Sequence, residues 1–482
     1  MLETTVLTLA DGVSIVVPDS LDLITPYVLR EQGDFFEDEL PFVRSLLEPG
    51  QTVIDIGANH GVYTLPMARK VGPTGHVWAF EPAPSTAQLL AQSIAVNGFG
   101  HVTLEQNAVS STAGSAQLGL HAHSELRAIV HGVLTQASET VSLVTLDDCM
   151  DRYGWSNIDF IKIDAEGEES NIVKGGRRFF AELEPLVQYE LKNDATDLNF
   201  DLIDRFAAIG YESYRLVLGL NILVPFDRKA APDRYLLNLF CCKAARADRL
   251  AARGVLVRLR DLASTSEPAR TSIEPADACY HWRHALAHMP YAAQLALEWE
   301  KTEKAAERRE VDRALWFYAR SRERKLPSVD RFLALQSSFL LLRGICDREP
   351  SHLRLASLAR VAHDYGARAE SVGAASRLVD SIRQTGTFDP SEPFLAPLER
   401  FESIAPGEAL GNWLLAAALE HIEKRESFST FYVGPSCRER LEAIEALGFT
   451  GSAMRRRLEV VRLRINRARA ARGLPPIGAT PP

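Results

Sequence analysis

Val53-Ile54-Asp55-Ile56-Gly57-Ala58-Asn59-His60-Gly61-Val62-Tyr63-Thr64 decides how this chain reads. The first four residues are a short apolar burst of the kind that forms a strand buried on both faces. A glycine-bearing turn follows, and a helical stretch begins after it. Glycines 57 and 61 let a ligand approach the backbone closely. The turn would lie at the carboxyl end of a parallel strand, where open α/β sheets bind their ligands. The spacing Gly57-x-x-x-Gly61 is not the G-x-G-x-x-G of a dinucleotide site, and no Lys-Ser/Thr of a P-loop follows.

Outward from this string, apolar bursts alternate with helical stretches over the first 245 residues. Residues 76–82, 101–109, 141–146, 159–164, 185–191, 212–217 and 235–243 read as strands, and residues 85–97, 170–180 and 198–209 as helices. Near the start, Asp11-Gly12 between apolar alternations reads as a β-hairpin. Strand–helix alternation of this length predicts βαβ units and a mostly parallel sheet. The strand ends supply the candidate chemistry. Glu81 follows Asp55 by 26 residues, the placement of a carboxylate that accepts ribose hydroxyls. Asn107 could meet an adenine edge or make a local Asx-turn. Asp164, Glu166, Glu168 and Glu169 crowd one strand end, an arrangement that perturbs pKa values. A solvated helix start explains Glu168 better than Asp164. Lys162 reads either as a group orienting these carboxylates or as a surface residue. His121, His123 and His131 lie in the loop between the third and fourth strands.

These residues resemble the FkbM family of S-adenosylmethionine-dependent methyltransferases. The resemblance covers about residues 1–243. It rests on DIGANHGVYT at 55–64, FEP at 80–82, NAVS at 107–110, TLDD at 145–148, IKIDAEGEE at 161–169, VKGG at 173–176, QYELK at 188–192, GY at 210–211 and NLF at 238–240. His60 and Ala165 depart from the usual pattern. The resemblance implies a Rossmann-like methyltransferase sheet ending in an antiparallel hairpin. It implies O-methylation of a hydroxyl on a sugar, glycan, glycolipid or natural product. By position, Asp55, Gly57, Asn59 and Gly61 would line the methionine end of S-adenosylmethionine. Glu81 would hold the ribose, and Asn107 and Ala108 would sit by the adenine. Asp164 and Glu166 would face the transfer centre, with Glu190 a third candidate base. Hard carboxylates suit Mg²⁺, so an ion shared by Asp164, Glu190 and substrate oxygens stays open, with no metal ligand assigned.

Charge divides the 482 residues unevenly. Residues 1–245 hold 17 basic against 33 acidic side chains, and residues 246–482 hold 37 against 30. The acidic half would repel phosphates, which argues against a nucleic-acid partner. No apolar run reaches the roughly 20 residues of a membrane-spanning helix. The first residues lack a basic segment ahead of an apolar one, so no secretory signal is read. Six cysteines form no C-x-x-C pair, which disfavours a structural zinc site and suits a reducing compartment. These features predict a cytoplasmic protein. After residue 245 the pattern changes. Residues 246–275 read as a Ser/Thr/Pro-bearing linker, 276–472 as an all-α region, a bundle or a tetratricopeptide-like array, and 473–482 as a disordered tail. The helical region would dock the acceptor or a protein partner. The rival reading makes it the working part of a non-catalytic interaction protein whose Rossmann half only binds cofactor.

Overall fold

The computed structural model describes residues 3–121, 123–130, 137–191, 193–194, 197–198, 200–263, 280–303, 308–386 and 388–477. His131, part of the expected linker (264–275) and part of the expected tail (478–482) lie outside them. The chain divides into two compact units. One comprises Met1–Leu216, Pro225–Pro232 and Leu236–Ala252, and the other Val217–Val224, Asp233–Tyr235 and Arg253–Pro482.

In chain order the strands are β1 (Thr4–Thr8), β2 (Ser14–Pro18), β3 (Thr52–Ile56), β4 (His76–Phe80), β5 (Val102–Glu105), β6 (Ala108–Val109), β7 (Gly114–Gly119), β8 (Ser138–Val144), β9 (Phe160–Ile163), β10 (Leu186–Glu190), β11 (Asn193–Asp194), β12 (Asp197–Leu198), β13 (Glu212–Val217), β14 (Ile222–Pro225) and β15 (Asn238–Cys242). The helices of the first unit are α1 (Ile24–Gln32), α2 (Glu39–Leu46), α3 (Thr64–Val71), α4 (Pro84–Val96), α5 (Leu146–Tyr153), α6 (Glu169–Gly175), α7 (Arg177–Glu182), α8 (Asp201–Ala208) and α9 (Ala244–Ala252).

The main sheet of the first unit runs β13-β15-β10-β9-β3-β4-β5. From β10 to β5 every pairing is parallel, and β15 lies antiparallel to both β10 and β13. This is the Rossmann-like sheet with an antiparallel end that the motif order implied. Its interior strands are β-branched and aromatic, as a doubly covered sheet requires. One face buries Ile54, Ile56, Ile161, Ile163, Val187, Tyr189 and Cys241 against the region of α5–α8. The hairpin at Asp11-Gly12 pairs β1 with β2, and Gly12 adopts φ +81° at the turn. A small sheet, β6-β8-β7, carries the segment after the third strand.

The second unit is helical. Its helices include Pro290–Lys301, Arg308–Ser321, Ser328–Arg348, His352–Tyr365, Arg368–Thr385, Leu410–Arg425 and Ser452–Ala470. Apolar residues recurring at three- and four-residue steps, among them Leu295, Trp299, Leu335, Leu358 and Val361, are buried, while Leu415 is half-buried. Val217, Leu220, Ile222 and Val224 join the same core. Gly219 N donates to Asp364 O at 2.8 Å, Leu223 N to Val255 O at 2.9 Å, and Tyr235 Oη to Glu426 O at 3.0 Å. Among the described residues, no helix is long and apolar enough to cross a membrane.

Candidate active site

The opposite face of the main sheet is polar where the chemistry sits. Side chains alternate along a strand, so residues 55, 162 and 188 share a face with 57, 164 and 190. Asp55 pairs in register with Lys162, Lys162 with Gln188, and Glu190 with Asn238. Two rows of polar residues therefore cross β3, β9, β10 and β15 at their ends. Asp55, Lys162 and Gln188 are 0%, 3% and 0% exposed.

Lys162 Nζ lies 2.6 Å from Asp164 Oδ2 and 4.5 Å from the centre of the Tyr63 ring. Burial alone would depress its pKa, but the carboxylates of Asp164, Glu37 and Asp55 outweigh that and raise it. Lys162 is thus a buried ammonium serving the strand end, not a surface residue. Tyr63 Oη donates to Glu37 Oε2 at 2.7 Å and accepts from Gln188 Nε2 at 2.9 Å. Asn238 Nδ2 donates to the same Glu37 oxygen at 3.0 Å. Burial raises the pKa of Glu37, and lifts Glu39 from 4.5 to about 8. Sequence reasoning missed Glu37 and Glu39, which stand in an acidic run that reads as surface. Tyr63, Gln188 and Asn238 stand within the sequence motifs, but nothing in the motifs themselves assigns them a role.

The β3–α3 turn carries the strain that its glycines permit. Gly57 has φ +78°, and a Cβ there would stand 1.8 Å from Asp164 O. The turn therefore presses directly on the strand end that bears Asp164. Gly61 has φ +96° and Asn59 φ +49°. Thr64 Oγ1, at the start of α3, donates to Asp55 Oδ2 at 2.5 Å. Burial raises the pKa of Asp55, with Lys162 and Thr64 opposing. Glu81 is 7% exposed, and its oxygens accept Asn59 N and Ala83 N, each at 2.9 Å. Desolvation lifts its pKa from 4.5 to about 7 against those two bonds. Asn107 donates to Glu105 at 3.0 Å and Ala108 is buried in β6.

Asp164, Glu166 and Glu190 come together: one oxygen from each lies within 4.8 Å of the others. Glu166 holds φ +48° in the loop ahead of α6. Glu168, read as a solvated helix start, is instead 2% exposed and accepts from Ser110 Oγ at 2.8 Å and Asn171 Nδ2 at 3.0 Å. Glu169 braces the loop by accepting Ala165 N and Gly167 N, each at 3.1 Å. Glu169 therefore positions backbone, while Glu168 ties the side chains of Ser110 and Asn171 together. His121 is exposed and His123 half-buried.

The residues fit S-adenosylmethionine. Asp55 Oδ1 and Asn59 Oδ1 are buried acceptors with no hydrogen-bond partner among the described residues. Such atoms are costly unless a donor arrives, and an ammonium and sugar hydroxyls are donors. The Gly57 turn leaves no room for a side chain between loop and strand end.

No curated protein matches the chain in sequence. The methyltransferase FkbM from Methylobacillus flagellatus KT is similar in structure at 20% identity over 45% of this chain, with TM-score 0.31. The alignment spans 50% of that protein's own length. A putative rRNA-methylase from Clostridium thermocellum aligns at 11% identity over 44% of this chain and 95% of its own, TM-score 0.28. A SAM-dependent O-methyltransferase from Thermotoga maritima aligns at 15% identity over 50% and 77%, TM-score 0.25. The model of the methyltransferase FkbM domain matches residues 55–213 of the chain, which form a methyltransferase domain.

Proposed function

We propose that the chain is an S-adenosylmethionine-dependent O-methyltransferase acting on a hydroxyl of a sugar, glycan, glycolipid or natural product. The observation that carries this reading is the abutment of the Gly57 turn on the Asp164 strand end, with a Cβ at Gly57 only 1.8 Å from Asp164 O. The turn that would hold the methyl donor and the carboxylate that would take a proton are then neighbours by construction. When bound, the cofactor supplies a methyl group already activated on a sulfonium. The chain's task is to hold a hydroxyl in line and remove its proton. Asp164 is the group for that proton, and Lys162 at 2.6 Å fixes its orientation and balances its charge. Glu166 and Glu190 accept the acceptor's other hydroxyls. Their clustering with Asp164 also suits a divalent ion.

The acidic balance of residues 1–245 supports a small-molecule or glycan acceptor rather than a nucleic acid. Among the described residues, Cys149, Cys241, Cys242 and Cys346 are buried and form no disulfide, which supports a reducing, cytoplasmic setting. The helical region is the docking part for acceptor or partner. The test is transfer of labelled methyl from S-adenosylmethionine to polyhydroxylated acceptors by the full chain. Asp164→Asn is expected to keep the fold and lose roughly 10²–10⁴ in turnover. Wild-type turnover and KM in that variant would move the centre to Glu166 or Glu190. Added EDTA stops the reaction only if a metal takes part.

A further inference from the structure

The segment after β7 folds back as a strap. Gly119 N donates to Ala128 O and Val130 N to Gln117 O, each at 2.9 Å, so the strap's base is anchored in the small sheet. Its tip, a 3-10 turn at Ser124–Leu126, and the adjoining Arg127 reach three separate parts of the first unit. Glu125 Oε1 accepts Thr25 N at 3.0 Å, and the Thr25 hydroxyl, at the start of α1. Ser124 Oγ lies 3.4 Å from Nδ1 of His60, in the middle of the β3–α3 turn. Arg127 Nη1 lies 3.3 Å from Ser85 Oγ and 3.2 Å from Thr86 Oγ1, at the start of α4. His60, although it stands in a turn, is 5% exposed. Burial holds its pKa down to about 4, with Arg127 adding to the depression and Glu125 opposing it. Arg127 also acts on Glu81, whose carboxyl it helps to ionise.

We propose that Arg127 is a nucleoside-binding residue, brought by the strap to stack its guanidinium on the purine of the bound S-adenosyl ligand. This rests on the reading that Glu81 receives the ribose. The purine is joined directly to that ribose, so it lies beside the same carboxylate. Arg127 meets the requirements of a stacking group there. Its charge reaches Glu81, two hydroxyls at the start of α4 hold its guanidinium, and its plane can lie on an aromatic face. Neither sequence motif nor family match singles it out as a ligand residue.

Calorimetry on the full chain, with S-adenosylmethionine and S-adenosylhomocysteine as probes, tests this. Arg127→Met is expected to weaken both by about tenfold, and Arg127→Lys, which restores charge without the plane, to recover part of the loss. Hydrogen exchange on the wild-type chain is a second readout that needs no variant. Saturating S-adenosylhomocysteine is expected to protect amides 123–129. Unchanged affinity in a folded Arg127→Met, or no added protection at 123–129 in a chain that binds the probe, overturns the inference. A wild-type chain that binds neither probe overturns the methyltransferase reading instead.

Discussion

Glu81 shows how one buried carboxylate can answer to two titrations of opposite sign. Its pKa rises from the ordinary 4.5 to about 7 because burial outweighs the two backbone N–H groups it accepts. The folded chain therefore keeps a proton that the unfolded chain has lost. Stability from this group is fully present below pH 4.5 and lost as pH rises through about 7. Ribose binding has the reverse demand, since hydroxyls donate best to the ionised form. Affinity for S-adenosylmethionine should thus climb through pH 7 while the thermal midpoint of the ligand-free chain declines. Glu81→Gln should flatten both trends and weaken binding by about 1–3 kcal/mol, the cost of losing a charged acceptor. Calorimetry and melting curves at pH 5.5, 7 and 8.5 would check it. A variant that binds as tightly as wild type removes Glu81 from the ribose role.

The strand-end rows of the main sheet gather three strands around one cation. Lys162 on β9 stands between Asp55 on β3 and Gln188 on β10, and its ammonium pairs with Asp164. Lys162→Met leaves those carboxylates buried without it. The expected loss is about 2–4 kcal/mol, somewhat below a fully buried pair because the Asp164 side chain keeps 29% of its exposure. The double variant Lys162→Met/Asp164→Asn should melt above the single one, because it removes the stranded charge. A double variant no better than the single would mean that Lys162 serves packing alone. The strand–helix alternation, the turn and the carboxylates at the strand ends were legible in the sequence, because a short apolar burst ending in Asp-x-Gly has few structural meanings. The network around Lys162 was not. Glu37 and Glu39 look like surface charges until Asn238 and Tyr63, about 200 and 25 residues away, turn out to be their partners. The strap was illegible for the same reason: Ser124, Glu125 and Arg127 find partners only through tertiary contact.

At the scale of the whole molecule, the two units do not divide at a single point in the chain. Val217–Val224 and Asp233–Tyr235 belong to the helical unit, although Pro225–Pro232 and Leu236–Ala252 belong to the other. Composition places the protease-sensitive stretch at 262–276, with its Ser, Thr and Pro. A cut there should leave fragments that elute together in native size-exclusion chromatography, because the N-terminal piece still carries Leu220, Ile222 and Val224 of the helical core. Fragments that separate without denaturant would contradict this. The same interleaving governs how the chain is made. Residues 217–235 leave the ribosome well before the helices whose core they complete, and Glu426 is 191 residues behind its partner Tyr235. At about 5–20 residues per second that gap lasts about 10–40 s. Throughout it the nascent chain carries uncovered Val217, Leu220, Ile222 and Val224, a standing invitation to chaperones, and a gene truncated near residue 245 would make that transient state permanent.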